Sequence, residues 1–460
     1  MGARGRDLTD VRWVAGAIVA KADAASSLEA EGAPLKLNPV WARTVAWKSW
    51  MRWPSGGRAQ GGRRMRERNA AIVGIHEFPE RRVDGMTSLQ IKAVCAARAL
   101  EDAGLTWDDV DGLFDAGEAG GGMPAAVMAE YLHVRPRVVD GTSVGGSSYE
   151  FHAAHARRAI AAGKIQVALL TYGSTAKSDQ QSIGLGGRSG QDRPSPTDNM
   201  EAPWGLSLIG SYALVARRHM HQYGTTAEEL AAIAVTTRHH AMRNPEAVAA
   251  MEALGFHNIR DISGEDVLAS RLIADPLHLL DCCMISDGGG AVVMAAPEVA
   301  RHTRHRPVWL LGSGEALGYP DNGRDITVTA AAQSGPEAFA EAGLTPAEMD
   351  VAMIYDSFTI TVLTILEDLG FCAKGEGGAY VQGGRLRYDR PGGPALNTDG
   401  GGLSSNHPGM RGIFLLIEAT RQLRGQSTAQ VQDTRLAVVH GNGGQLGTRH
   451  AAATIILGRD

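Results

Sequence analysis

Four stretches of the chain carry side chains that can do chemistry. "GGSSYEF" (145–151) puts Ser147 and Ser148 at what reads as a helix N-terminus, and "IYDSF" (354–358) ends a strand-like run on Tyr355 and Asp356. "LNTDGGGLSSNHPGMRG" (396–412) holds His407 beside a proline in a glycine-rich run, and "HGNGG" (440–444) sets His440 at another strand end. A histidine N–H in a desolvated loop can stabilise a developing oxyanion. Ser147 is a candidate nucleophile if His440 or His407 takes its proton. A phenol titrates near pH 10 unperturbed, so Tyr355 acts as a base only if neighbours such as His440 or a helix dipole lower that value. Asp356 either orients Tyr355 or His407, or caps the helix that follows. Gly401 and Gly402, with Gly443 and Gly444, are positions where bare backbone can crowd a ligand. Singly, each of these features is commonplace.

The elements that must position them alternate between strand and helix. "AAIVGI" (70–75) reads as a buried strand and 87–103 as an amphipathic helix. Ala103-Gly104-Leu105-Thr106 then leads through an acidic turn into a second strand. The same series recurs at Ala342-Gly343-Leu344-Thr345, before "DVAMIYDSF", and strand-like "VWLLGSGEA" (308–316) precedes it as "AAIVGIHEF" precedes the first. Two related α/β halves are therefore expected. Further strands are expected at 165–173, at the end of 279–295, at 436–441 and at 452–457, with helices after the glycine turn at 143 and at 207–222 and 226–243. Strand ends and helix starts are where sites gather in such proteins.

Composition narrows the class. A chain of 460 residues can bury a large core in two or three domains. A net charge of −5 gives no whole-chain argument for nucleic-acid or membrane binding, and no apolar run reaches spanning length. Cys95, Cys282, Cys283 and Cys372 lack paired metal spacing, and the adjacent pair suits reduced thiols in a cytoplasmic protein. Residues 1–68 hold 13 Lys and Arg against 6 Asp and Glu, without periodicity. They lack the apolar segment and cleavage site of a targeting peptide and read as a poorly ordered basic leader, with Met65 as the natural start. Residues 174–205 are polar, rich in Gly and Pro and non-periodic, the pattern of a functional lid or a disordered loop. The expected division is a leader at 1–68, a first half at 69–300 with a loop insertion at 174–275, and a second half at 301–460.

Together and in this order, the motifs resemble the thiolase superfamily, in its sterol-carrier-protein thiolase and lipid-transfer-protein branch. The resemblance runs from about residue 70 to the end of the chain. "SNHPG" followed by "RGIFLLIEATRQLRG" is similar to the thiolase Gly-His-Pro loop. "CCMISDGGGAVVM" is similar to that branch's Ser-Asp-Gly strand, and "YDSF" stands where thiolases carry Asn-Glu-Ala-Phe and the sterol-carrier branch His-Asp-Cys-Phe. The fold implied is two similar βαβ-rich halves in a five-layer αβαβα arrangement. The activity implied is chemistry on acyl-CoA thioesters, with coenzyme A arriving in the substrate, no permanently bound cofactor and no metal.

The resemblance also implies two cysteines that are not here. The nucleophile position falls on Gly146 or Ser147, and the Cys-x-Gly turn near the C-terminus matches His440. His407 remains in its expected place as an enolate-stabilising donor. That pattern favours retro-aldol cleavage of a β-hydroxyacyl-CoA, which needs a base and a stabilised enolate and no acyl-enzyme. Acyl transfer through Ser147 and a non-catalytic lipid or acyl-CoA carrier are the alternatives. The branch's aldolases work with a small zinc-ribbon OB-fold partner, and the family implies at least a homodimer.

Overall fold

In the computed structural model, which describes residues 68–117, 123–179, 207–319, 325–390 and 392–460, both Ala-Gly-Leu-Thr copies close a helix and open a strand in the same way. Helix α1 (Ser88–Ala103) begins on a Thr87/Gln90 capping box and stops at Gly104, whose φ of 74° is the left-handed conformation a glycine adopts without strain. Thr106 then opens a short 3₁₀ turn with Asp109 accepting from its backbone, and the chain enters β2 (Gly112–Asp115). In the second copy Gly343 ends a helix at φ 62°, Thr345 and Glu348 repeat the box, and the strand Val351–Ile354 follows.

The remaining elements complete the echo. The first set adds β1 (Ala71–Glu77), α2 (Pro124–Leu132), β3 (Val138–Asp140), α3 (Ser148–Ala161), β4 (Val167–Ser174) and, after the insertion, β7 (Gly288–Ala295). The insertion carries α4 (Leu208–Tyr223), α5 (Ala227–Ala241) and a two-stranded ribbon, β5 (Leu272–Ala274) and β6 (Leu277–His278). The second set is β8 (Val308–Gly318), α6 (Ala331–Ala342), β9 (Val351–Ile354), α7 (Thr359–Asp368), β10 (Ala395–Leu396), α8 (Gly401–Ser404), α9 (Gly412–Arg424), β11 (Leu436–Gly444) and β12 (His450–Gly458). Strand order is β3-β2-β4-β7-β1 in the first set and β10-β9-β11-β12-β8 in the second, the same order of equivalents. In each, three parallel strands are followed by two antiparallel ones. The sets join where β1 pairs antiparallel with β8, Ala71 opposite Trp309, into one ten-stranded sheet.

Five layers result. Helix α1 covers the outer face of the first set and α6 that of the second, while α3 and α9 touch strands of both and each other. Side chains alternate accordingly. Ala168, Leu170, Val351, Met353 and Val439 join Tyr149, Ala153, Ile413 and Phe414 in the inner core. Val167, Leu169, Ala352, Ile354 and Val438 join the outer one. The elements expected from sequence are present to within a few residues, but α2, β3, the β5–β6 ribbon, β10 and α8 are not among those expected; residues 1–67 of the expected 1–68 leader and 180–205 of the 174–205 stretch lie outside the described residues. The insertion is more helical than a loop. Among the described residues no helix is long and apolar enough to cross a membrane.

The outer helices lie so close to the sheet that glycine is required beneath them. A Cβ on Gly74 of β1 would lie 2.1 Å from the Ala99 carbonyl oxygen of α1, and one on Gly312 of β8 2.2 Å from that of Ala338 in α6. Gly74→Ala and Gly312→Ala are each expected to cost about 1–3 kcal/mol through overpacking. The double variant should be nearly additive, because the two contacts share no neighbours. Urea denaturation of the three variants checks this, and an unchanged midpoint would contradict the packing described.

Candidate active site

Tyr355 continues the alternation of β9 onto the inner face, so its ring enters the central layer. There its Oη lies 3.0 Å from His407 Nε2 and 3.3 Å from the Gly409 carbonyl oxygen, with the two rings edge to face at 5.5 Å. The loop that brings His407 is held from several sides. Its N–H donates to Ser286 Oγ at 3.1 Å, and the Tyr172 hydroxyl donates to the Pro408 carbonyl at 2.6 Å while accepting from the Met410 N–H at 2.9 Å. From the insertion, Arg238 Nε donates to Ser404 Oγ at 3.0 Å and Asn244 Nδ2 to the Asp399 carbonyl at 3.0 Å. The insertion therefore buttresses the histidine loop.

Inside the loop sits a fully buried arginine. Arg411 pairs with Asp399, lies 3.3 Å from Asp356 Oδ1 through Nε, and donates from Nη1 to the Asn406 carbonyl at 3.1 Å. Asn406 in turn donates to Glu77 at 2.7 Å, and Glu77 also pairs with Arg81 and Arg421. Asp356 accepts from the Gly402 N–H at 2.7 Å and the Leu403 N–H at 3.2 Å. It thus caps α8, not the following helix α7, and its partners are Gly402, Leu403 and Arg411 in place of Tyr355 or His407. Burial raises its carboxyl to about 6 against the pull of Arg411. Gly401 and Gly402 make room for this acid: a Cβ at Gly401 would stand 2.1 Å from Asp356 Oδ2, and one at Gly402 3.2 Å from His407 Cδ2. These two glycines crowd Asp356 and His407, not an open ligand surface.

The helix start opposite the loop is equally tight. Ser147 Oγ donates to the Val144 carbonyl at 3.2 Å, so its hydroxyl is turned into its own turn and makes no hydrogen bond to His407 or His440. Beside it, a Cβ at Gly146 would fall 2.2 Å from Tyr355 Cε2. The ring occupies the space that a side chain at 146 would need. Gly443 and Gly444 press against the same turn, since a Cβ at Gly443 would lie 1.8 Å from the Val144 carbonyl oxygen and one at Gly145 2.9 Å from the Gly444 nitrogen. Tyr212 of α4 fixes this strand end, donating to the Gly444 carbonyl at 3.2 Å.

His440 does not join the site. Its Nδ1 lies 2.8 Å from Thr454 Oγ1, which is 2.9 Å from Ser334 Oγ on α6, so the imidazole is on the outer face of the sheet. Tyr355 is on the inner face. The inward-facing residue is Gly441, and Gly441-Asn442-Gly443 keeps the Cys-x-Gly spacing that the sequence reading assigned to His440. One-residue alternation along β11 is the reason for the difference.

Electrostatics follow from desolvation. Burial pushes the Tyr355 phenol well above its ordinary value, with nearby Cys283 adding to the rise. Burial, and then the Arg411 charge, lower His407 to about 4. Both groups are therefore neutral near pH 7, and burial reverses the expected lowering of the Tyr355 pKa, with His440 on the other face of the sheet. When Tyr355 donates to Nε2 in place of the Gly409 carbonyl, the neutral imidazole carries its proton on Nδ1, an atom without a partner among the described residues. Tyr172, Ser286, Arg411 and Cys283 were not singled out from sequence as site residues. Arg411, a lone cation inside a glycine loop, and Cys283 and Ser286, within the Ser-Asp-Gly stretch, offered a local signal; Tyr172 did not.

His440, driven down to about 3 by burial and then by His450, makes stability depend on pH. The unfolded state binds its proton near 6.5, so the stability linked to its neutrality is fully present above that value and is lost as pH falls toward 3. Between pH 7 and pH 4 this single group accounts for about 3 kcal/mol. His440→Gln is expected to narrow the difference between the urea midpoints at these two pH values. An unchanged difference would mean that the imidazole is not buried neutral.

Comparison with known proteins accords with this geometry. The thiolase C-terminal domain-like family matches residues 319–459. A steroid side-chain-cleaving aldolase of Thermomonospora curvata is 33% identical over 411 residues, 85% of this chain and 98% of that one. An acetyl-CoA acetyltransferase of Methanothermobacter thermautotrophicus is 31% identical over 397 residues, 83% of this chain and 98% of the other. Among solved structures, one described as the Ltp2-ChsH2(DUF35) aldolase superposes with a TM-score of 0.74 at 30% identity, covering 86% of this chain and 99% of that one. The chain belongs to the thiolase superfamily, in its sterol-carrier-protein thiolase and lipid-transfer-protein branch.

Proposed function

We propose that the protein is an acyl-CoA carbon–carbon lyase that cleaves a β-hydroxyacyl-CoA by a retro-aldol reaction, giving a ketone or aldehyde and a shorter acyl-CoA. The observation that carries this reading is the Tyr355 ring resting on Gly146 while its hydroxyl meets His407. Where an acyl-accepting side chain would stand there is a phenol, and the neighbouring Ser147 hydroxyl is spent on its own turn. Tyr355 Oη accepts the proton of the substrate β-hydroxyl as its own proton passes to His407 Nε2. The Cα–Cβ electrons then move into the thioester enolate, and the His407 Nδ1–H donates to the enolate oxygen. The two pKa shifts make sense in this relay, since an enolate beside the imidazole supplies the negative charge that lets it hold a second proton.

The relatives named as an aldolase and as an acetyltransferase support carbon–carbon chemistry on CoA thioesters in general. Coenzyme A then belongs to the substrate, and no resident cofactor is needed. The match to an aldolase described together with a DUF35 chain supports a small zinc-ribbon OB-fold partner. A homodimer is supported by exposed apolar side chains on two elements: Met123, at the N-cap of α2, with Val127 and Tyr131 within it, and Val139 of β3, the edge strand of the sheet among the described residues. Four free cysteines fit a reducing cytoplasm.

Offered a β-hydroxyacyl-CoA, the purified protein with and without a DUF35 partner is expected to release ketone or aldehyde without free CoA. Tyr355→Phe and His407→Ala should each lower kcat by at least about 100-fold, whereas Ser147→Ala should retain turnover. CoA-dependent cleavage of a β-ketoacyl-CoA would instead favour a thiolase, and CoA-ester binding without either reaction a carrier. Light scattering should return twice the chain mass, falling to the single chain in a Tyr131→Glu/Val139→Lys variant.

A further inference from the structure

Retro-aldol cleavage moves two protons, one off the β-hydroxyl and one onto the α-carbon of the enolate. Tyr355 and His407 account for the first. Glu150 stands in the first turn of α3, fully buried, and neither of its carboxyl oxygens has a hydrogen-bond partner among the described residues. A buried acid that served only structure would be given a partner, since an unsatisfied one is costly. Two other elements leave space for it. A Cβ at Gly412, the first residue of α9, would lie 2.4 Å from Glu150 Oε2, and a Cβ at Gly441 of β11 would lie 2.2 Å from the same atom. The Gly412 N–H donates at 3.1 Å to the carbonyl of Gly146, the residue on which the Tyr355 ring rests. The carboxyl therefore abuts Gly412 and the phenol abuts Gly146, two glycines joined by that hydrogen bond and neither carrying a side chain.

We infer that Glu150 is the acid that protonates the enolate carbon, a role that rests on the retro-aldol reading. Its O–H bond breaks as the enolate electron pair forms the new C–H bond and the thioester carbonyl is restored. The carboxylate left behind recovers the proton that Tyr355 and His407 took from the hydroxyl, so the cycle closes with no net gain or loss. Burial pushes the Glu150 carboxyl well above the carboxylate range, which keeps it protonated in the resting enzyme.

The test compares the wild type with Glu150→Gln, which keeps the shape and removes the acid, and Glu150→Asp, which keeps the acid. Folding of each is checked by thermal unfolding. The wild type should release ketone and acyl-CoA in step. Glu150→Gln should lose at least about 100-fold in kcat with KM changed by less than about threefold, and should show a burst of ketone up to one equivalent per site before slow turnover. Glu150→Asp should recover part of the lost rate. A folded Glu150→Gln enzyme with normal turnover overturns the inference, as does one in which cleavage itself is slowed without a burst. A wild type that cleaves no β-hydroxyacyl-CoA overturns the retro-aldol reading and this inference together.

Discussion

Arg411 carries a charge that has no access to water, and the histidine loop is arranged around that fact. A buried guanidinium is tolerated only with carboxylates and hydrogen-bond acceptors in good geometry around it. Here Asp399, Asp356 and Asn406 supply them. Asp399 and Asn406 belong to the loop itself, while Asp356 is the residue after Tyr355. The ion pair therefore links the chain on either side of His407 to the end of β9, and the 3.0 Å contact between phenol and imidazole depends on that link. Asn406 extends the link to Glu77 at the end of β1, in the other set of strands. A surface ion pair would be worth too little to hold such a loop. A buried one holds it because breaking it leaves an uncompensated charge.

The same dryness sets the chemistry of the pair. Burial moves the Tyr355 and His407 pKa values in opposite directions, and Arg411 pushes the imidazole further the same way. In the resting site neither group ionises near neutral pH. A pair of neutral partners sharing one hydrogen bond is poor at acid–base chemistry until a third charge appears, and a thioester enolate is such a charge. The site thus responds to its transition state more than to its substrate, which is the condition for rate enhancement.

How much of this was legible depended on whether the signal was local. The Ala-Gly-Leu-Thr repeat exposed the two halves because glycine stops and threonine caps are short-range features. The glycine loop marked His407 for the same reason. His440 was misassigned because residue type and strand position do not fix which face a side chain takes, and a shift of one residue puts Gly441 inward. Gly401, Gly402, Gly443 and Gly444 did mark close approach, but what approaches is Asp356, His407 and the Val144–Ser147 turn. Tyr172 acts on Pro408 from 236 residues away, a contact that no local pattern encodes. The direction of the Tyr355 shift depended on burial and on neighbours that only the fold supplies.

The duplicated architecture explains where the site lies. Helix α3 links β3 to β4, and α9 links β10 to β11, so the two central helices are equivalents in strand sets of the same order. Their N-terminal turns meet, with the Gly412 N–H donating to the Gly146 carbonyl. Two helix starts facing each other concentrate free N–H groups and positive dipole ends in one place. That is a favourable setting for an enolate oxygen whichever residues line it. Equivalence ends at the side chains: the turn before α9 brings His407, while the turn before α3 has given up its side chain at Gly146. Any residue there larger than glycine meets the Tyr355 ring, so an acyl-accepting side chain at 146 and a phenol at 355 exclude one another in this backbone. Restoring a nucleophile would require removing Tyr355 as well, and the reaction would change with it.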